Sequence, residues 1–191
     1  NIISYDASGN PVAIATGSSG QVLTSGGAGA APSFAAAAAG GVAVQVVNVI
    51  SGALVTGTTQ LPYDDTIPQK TEGVEVMTLA ITPTNASNKL LIQVVSNVSS
   101  SGGGDNCSSA LFQDATANAL AAKGQYMSDA NASCNLSFTH YMAAGTTSST
   151  TFKVRVGAVD AATFSFNGVS GARKFGGVFI EQSKKDKFGG I

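Results

Sequence analysis

From residue 42 onward, short runs of apolar and β-branched residues recur, each closed by Gly, Pro, Asp or Ser. This spacing constrains the fold more than any other feature. Runs of strand length bounded by turn residues, many in succession, build an antiparallel sandwich rather than a helical core. The runs cover residues 44–50, 54–60, 74–81 and 90–98, then 110–113, 120–127, 136–142, 152–159, 163–166 and 175–180. Leu136, Phe138 and His140, and again Phe152, Val154 and Val156, repeat with the period of two expected of strands with one face buried. Residues 115–122 are the one helical candidate, and Thr116 and Asn118 weaken it. The expectation is an all-β protein, an antiparallel β-sandwich of the jelly-roll kind over residues 42–183, with a polar tail over 184–191.

The first 41 residues read differently. Gly17-Ser18-Ser19-Gly20, Ser25-Gly26-Gly27-Ala28-Gly29-Ala30-Ala31-Pro32 and the run Ala35-Ala36-Ala37-Ala38-Ala39-Gly40-Gly41 leave few large apolar side chains. Such a stretch cannot bury enough surface to offset its ordering entropy. Residues 1–41 are therefore expected to be an extended arm or shaft end. Its apolar islands, Val12, Ile14, Val22, Leu23 and Phe34, would be buried only on assembly.

Ala, Gly, Ser and Thr make up 91 of the 191 residues, and only 11% are charged. That is well short of the roughly 25% typical of soluble domains, and it disfavours a helix-rich enzyme. The net charge is −1, and no Lys or Arg precedes Lys70. Five basic residues cluster at Arg173, Lys174, Lys184, Lys185 and Lys187, at the end of a slightly acidic body. A nucleic-acid binder needs a basic stripe on its folded surface, so no nucleic-acid partner is expected. No apolar run approaches the 18 residues or so of a membrane helix, so no membrane insertion is expected.

The search for chemistry is mostly negative. His140, the sole histidine, lies inside an apparent strand, where it is a structural side chain rather than a general base. Asp64 and Asp65 sit in a turn and read as Asx-type hydrogen-bond acceptors. Gly102-Gly103-Gly104 lacks the Lys and Ser/Thr of a phosphate loop. Cys107 and Cys134 are 27 residues apart without a CxxC pattern, so they are candidates for a disulfide or two free thiols, not a metal site. No catalytic residue, cofactor or metal site is expected, and the chain is read as a non-enzyme.

The arm carries a recognisable string. Tyr5-Asp6-Ala7-Ser8-Gly9-Asn10-Pro11-Val12, followed by Gly20-Gln21-Val22-Leu23-Thr24-Ser25-Gly26-Gly27-Ala28-Gly29-Ala30-Ala31-Pro32-Ser33-Phe34, resembles the linker that joins shaft to distal domain in bacteriophage tail-fibre and other virion appendage proteins. In the body, Thr56-Gly57-Thr58-Thr59-Gln60-Leu61-Pro62-Tyr63-Asp64-Asp65-Thr66-Ile67-Pro68-Gln69, Glu72-Gly73, Ile81-Thr82-Pro83 and Asn88-Lys89-Leu90-Leu91-Ile92 resemble the domain that often follows. The resemblance implies a trimeric jelly-roll knob, similar in outline to complement globular heads and tumour necrosis factor. The polar ending, Glu181-Gln182-Ser183-Lys184-Lys185-Asp186-Lys187, departs from the apolar final strand such a knob leads one to expect.

On this reading the chain is a virion structural protein, the knob of a trimeric fibre that attaches to a host surface. Its partners are two further copies, other virion proteins of the shaft, tail or capsid, and a cell-surface glycan or protein. Polar loops supply the candidate binding residues Ser100, Gly103, Asp105, Asn106, Ser128, Asp129, Asn131 and Thr147. The alternative is a capsid cement protein whose arm docks on the shell.

Overall fold

A computed structural model of the chain describes residues 2–6, 8–37 and 43–178, and the backbone of 181–188. The chain divides into two units, Asn1–Gly40 and Gly41–Gly190. The boundary expected at 41/42, with Ala38, Ala39 and the Gly40-Gly41 pair, lies outside the described residues.

The arm is not featureless. β1 (Ile2–Tyr5) pairs with β2 (Pro11–Ile14), and β3 (Gln21–Thr24) pairs with β4 (Ser33–Ala36), both antiparallel. Asp6 organises the first turn, its Oδ1 accepting from the backbone N–H of Ser8 at 2.9 Å and of Asn10 at 2.8 Å. Gly9 takes the left-handed conformation there, φ +83°, which a side chain would strain.

The body is built from β5 (Ala43–Ser51), β6 (Val55–Gly57), β7 (Val74–Ile81), β8 (Lys89–Ser100), β9 (Asp105–Gln113), β10 (Ala121–Met127), β11 (Ser133–Ala143), β12 (Thr150–Ala158), β13 (Phe164–Phe166), β14 (Gly168–Val169), β15 (Ala172–Arg173) and β16 (Glu181–Phe188). The principal pairs are nested. β9 pairs with β10, β8 with β11, β7 with β12 and β5 with β16, all antiparallel. Four concentric pairs of this kind are a long double ribbon folded over on itself, which is the jelly roll. Further pairing of β12 with β9 and of β16 with β8 closes it into two sheets, β10-β9-β12-β7 and β5-β16-β8-β11. β13 continues the second sheet along β8 beyond β16, and β6 pairs with β13.

Alternation decides what lies between the sheets. Leu90, Ile92, Val94 and Val98 of β8, Leu136 of β11, Leu111 of β9, and Phe152, Val154 and Val156 of β12 are all buried in one core with Phe164 and Phe166. Complete burial of side chains of this size contributes roughly 1.5–3 kcal/mol each before entropy is counted.

The structure departs from the sequence expectations in four places. Residues 184–188, assigned to a polar tail, belong to β16, where backbone pairing with β5 and β8 supplies a register that needs no apolar pattern. The run expected over 175–180 is instead a single 3-10 turn, Phe175–Gly177, because Phe175, Gly176 and Gly177 all have positive φ; Phe179 and Ile180 lie outside the described residues. Asp105 and Asn106 are not loop residues but open β9. The run 54–60 keeps only β6 as strand, and the chain then leaves the sheet as a strap.

That strap, residues 58–73, runs over the outer face of the four-stranded sheet. Fully buried Leu61 packs there on Ala110 and Phe112, which point away from the main core. Its ends are pinned by Leu61 N–H to Ala158 O at 3.1 Å, Gly73 N–H to Gln60 O at 2.7 Å, and Arg155 Nε–H to Glu72 O at 2.7 Å. Close approach depends on small residues. Gly157 of β12 and Gly124 of β10 both pair with Ser108 of β9, giving a Gly-Ser-Gly row beneath the strap.

Candidate functional site

The loop candidates do not form a single site. At one end of the sandwich, three connections meet. Asn131 N–H donates to Ser100 O at 2.7 Å, Gly104 N–H to Met127 O at 3.0 Å, and Ser101 N–H to Thr163 O at 2.9 Å. Gly103, Ser128, Asp129 and Asn131 are exposed at this end, and Asn106 is half-buried. Thr147 lies at the opposite end, where Gly145 N–H bonds Ala86 O beside the start of β8.

Ser100 and Asp105 are buried, at 1% and 3% exposure, and act as internal locks. Ser100 Oγ donates to Asp105 Oδ2 at 3.2 Å, while Asp105 Oδ1 accepts from Asn106 N–H at 2.7 Å and Asp160 N–H at 3.3 Å. Their polar character reflects loop closure, not display to a ligand. Sequence alone does not separate these roles, because Ser and Asp serve both turns and recognition.

Of the arm islands, Ile14 is buried and Phe34 half-buried within the arm's own unit. A Cβ on Gly17 would lie 2.5 Å from Phe34 Cγ, so the ring sits against that glycine. Val12, Val22 and Leu23 remain exposed.

The two cysteines are free thiols in the core rather than a disulfide. Burial pushes Cys107 up to about 12 and Cys134 up to about 11, so both are neutral at physiological pH. Among the described residues, no group of three or more His, Cys, Asp or Glu side chains is placed to hold a metal ion. The Asp64 carboxylate is held below its usual range by hydrogen bonds from the Thr66 side chain, at 2.6 Å, and backbone, at 2.8 Å.

The outer face of the second sheet carries several exposed apolar side chains. Val44, Val46 and Ile50 of β5 are 53%, 51% and 50% exposed, and Tyr141 of β11 is 59% exposed. Leu91 of β8 pairs with Tyr141, and the row reaches Val46 of β5 through Asp186 of β16, which sets Lys184 and Asp186 in register between β5 and β8, with Gln182 opposite Ile50. Leu91 and Val95 are half-buried on the same face. Asn48, Gln93, Asn97, Ser137 and Thr139 share this face, so it is mixed, and its most exposed apolar part is the β5 row Val44, Val46 and Ile50; exposed apolar side chains grouped in this way mark a contact surface.

No protein-family model matches the chain, and no curated protein matches it by sequence. Among solved structures, it is similar to the EclA C-terminal domain, a sugar-binding protein, at 16% identity and TM-score 0.34, over 62% of this chain and 76% of that one. It is similar to Eiger TNF from S. frugiperda at 12% identity and TM-score 0.41, over 76% and 94%. The VP2 subviral particle of infectious bursal disease virus aligns at 9% identity and TM-score 0.38, over 88% of this chain and 42% of that one. At these values the likeness adds nothing to the sandwich that the strand register already defines.

Proposed function

We propose that the chain is a non-enzymatic structural protein of a bacteriophage particle, the trimeric knob of a fibre that attaches to the host surface. The observation that carries the reading is the exposed apolar row Val44, Val46 and Ile50 on β5, with Tyr141 of β11 exposed on the same outer face of the β5-β16-β8-β11 sheet. A face of this kind is buried by further copies of the same chain, and a low-charge surface of small residues lets those copies approach closely. The arm, with Val12, Val22 and Leu23 exposed on paired strands, offers further surface for assembly or for the rest of the particle. The phage assignment rests on the linker-like string 5–34 and the body motifs from 56 to 92.

Sedimentation equilibrium tests the assembly. The chain is expected to sediment at three times its 19.0 kDa mass. The variant Val46→Lys/Ile50→Lys replaces side chains that are half exposed in the single chain, so it is expected to sediment as one folded chain. A wild-type protein that sediments as a single chain refutes the trimer.

A further inference from the structure

We propose that the cleft between the strap and the β9–β10 edge is a binding site for a single sugar ring of a surface glycan. The inference deepens the attachment reading above and rests on it for the source of the sugar. The cleft is about 180 Å³ and is lined by Pro62, Tyr63, Asp64, Ser108, Lys123 and Gly124, among others. Sites for drug-sized ligands begin at roughly 300 Å³, so this one suits one ring rather than a larger ligand.

Four features place recognition chemistry here. Tyr63 is 61% exposed and its ring lies on the backbone of Gly124, where a Cβ would stand 2.6 Å from both Cδ2 and Cε2. An aromatic ring held flat and open to solvent is a stacking platform for the C–H face of a pyranose, with a phenolic hydroxyl at its edge. Asp64 beside it accepts both Thr66 hydrogen bonds on Oδ1, leaving Oδ2 without a donor among the described residues. Lys123 is exposed, and its ammonium has no ion pair or hydrogen bond among the described residues.

The fourth feature is the least expected of a mere surface dent. Ser108 is 4% exposed, and its Oγ is buried with no hydrogen-bond partner. Buried hydroxyls are almost always satisfied, and an unpaired one needs a reason. It lies in the floor of the cleft, under the same strap that carries Tyr63. Carboxylate, ammonium and hydroxyl around an aromatic plane match the hydroxyl rim and apolar face of a sugar. The opposite charges of Asp64 and Lys123 disfavour a strongly charged anion.

The test is an NMR titration of the full chain with the methyl glycosides of glucose, galactose, N-acetylglucosamine and glucuronic acid, reading the amides of Ser108, Lys123 and Gly124. At least one glycoside is expected to shift these amides saturably at millimolar concentration. Tyr63→Ala should abolish the effect, while Gly124→Ala, which displaces the ring, and Asp64→Asn should weaken binding tenfold or more. Ser108→Ala loses no hydrogen bond and should keep the folded spectrum while weakening binding. Two results overturn the site: no glycoside shifts these amides, or a glycoside binds with an affinity that Tyr63→Ala leaves within twofold. Adsorption of particles carrying Tyr63→Ala to host cells separates the two proposals. Normal adsorption overturns this cleft and leaves the attachment reading standing, whereas adsorption lost with Tyr63 supports both.

Discussion

Gly157→Ala probes how the strap is held. A Cβ built on Gly157 stands 2.8 Å from Leu61 Cβ, Leu61 N and Thr59 O, two of them backbone atoms that cannot rotate aside. Ordinary contact at a Cβ begins near 3.4 Å, so the strap must lift by several tenths of an ångström. Lifting stretches the 3.1 Å bond from Leu61 N–H to Ala158 O and loosens Leu61 from Phe112. Overpacking of this kind costs about 1–3 kcal/mol. For a body of this size, each kcal/mol shifts the melting temperature by roughly 2–4 °C, so the expected fall is about 2–12 °C in a calorimetric scan. Hydrogen exchange should show the Leu61 and Gly73 amides losing protection while those of β8 keep theirs. Leu61→Ala, which leaves a cavity instead of a clash, should lower stability by about 2–5 kcal/mol. An unchanged melting temperature with an unchanged Leu61 amide in Gly157→Ala would refute the close approach.

Two predictions follow from titration. Cys107 and Cys134 move from about 9.0 to about 12 and 11 on folding. The native state therefore holds protons that the unfolded chain releases, so the thiols' contribution to stability is constant below about pH 9 and falls as pH rises from there towards 12. Denaturant midpoints should show this slope, Cys107→Ala/Cys134→Ala should flatten it, and a thiol reagent at neutral pH should label the cysteines only after unfolding. In the arm, the Asp6 carboxyl is held below its ordinary value of 3.8 chiefly by hydrogen bonds from the Asn10 backbone and side chain. Its contribution is present above that value and lost as pH falls below it, so the Ser8 and Asn10 amides should lose protection in acid, and in Asp6→Ala at every pH. Acid-independent protection would contradict the turn.

The strands with one face buried were legible because their side chains alternate. β7, with expected bounds 74–81, matches Val74–Ile81, β8 and β11 extend the runs expected for them by a few residues, and β12 starts two residues before its expected run and ends one residue short of it. The nesting of the four strand pairs is not a local property and no periodicity encodes it. β16 was invisible because its pairing rests on neighbours distant in sequence, β5 and β8, and not on an apolar pattern. Ser100 and Asp105 looked like recognition residues because a buried lock uses the same polar side chains as a displayed one. Gly124 and Gly157 did carry a readable signal. A glycine inside a strand-like run marks a close backbone approach, and both lie in runs identified as strands, with the strap resting on them. Tyr63, named in the sequence only within a body motif, gains its role from Gly124, a neighbour 61 positions later in the chain.

Electron cryomicroscopy of intact particles that carry this chain tests the central claim most directly. The account predicts jelly-roll bodies grouped in threes about an axis, packed through the β5-β16-β8-β11 face and projecting from a tail or vertex. Single bodies spread flat over the capsid shell, with residues 2–37 clamped between shell subunits, would contradict it and make the chain a cement protein.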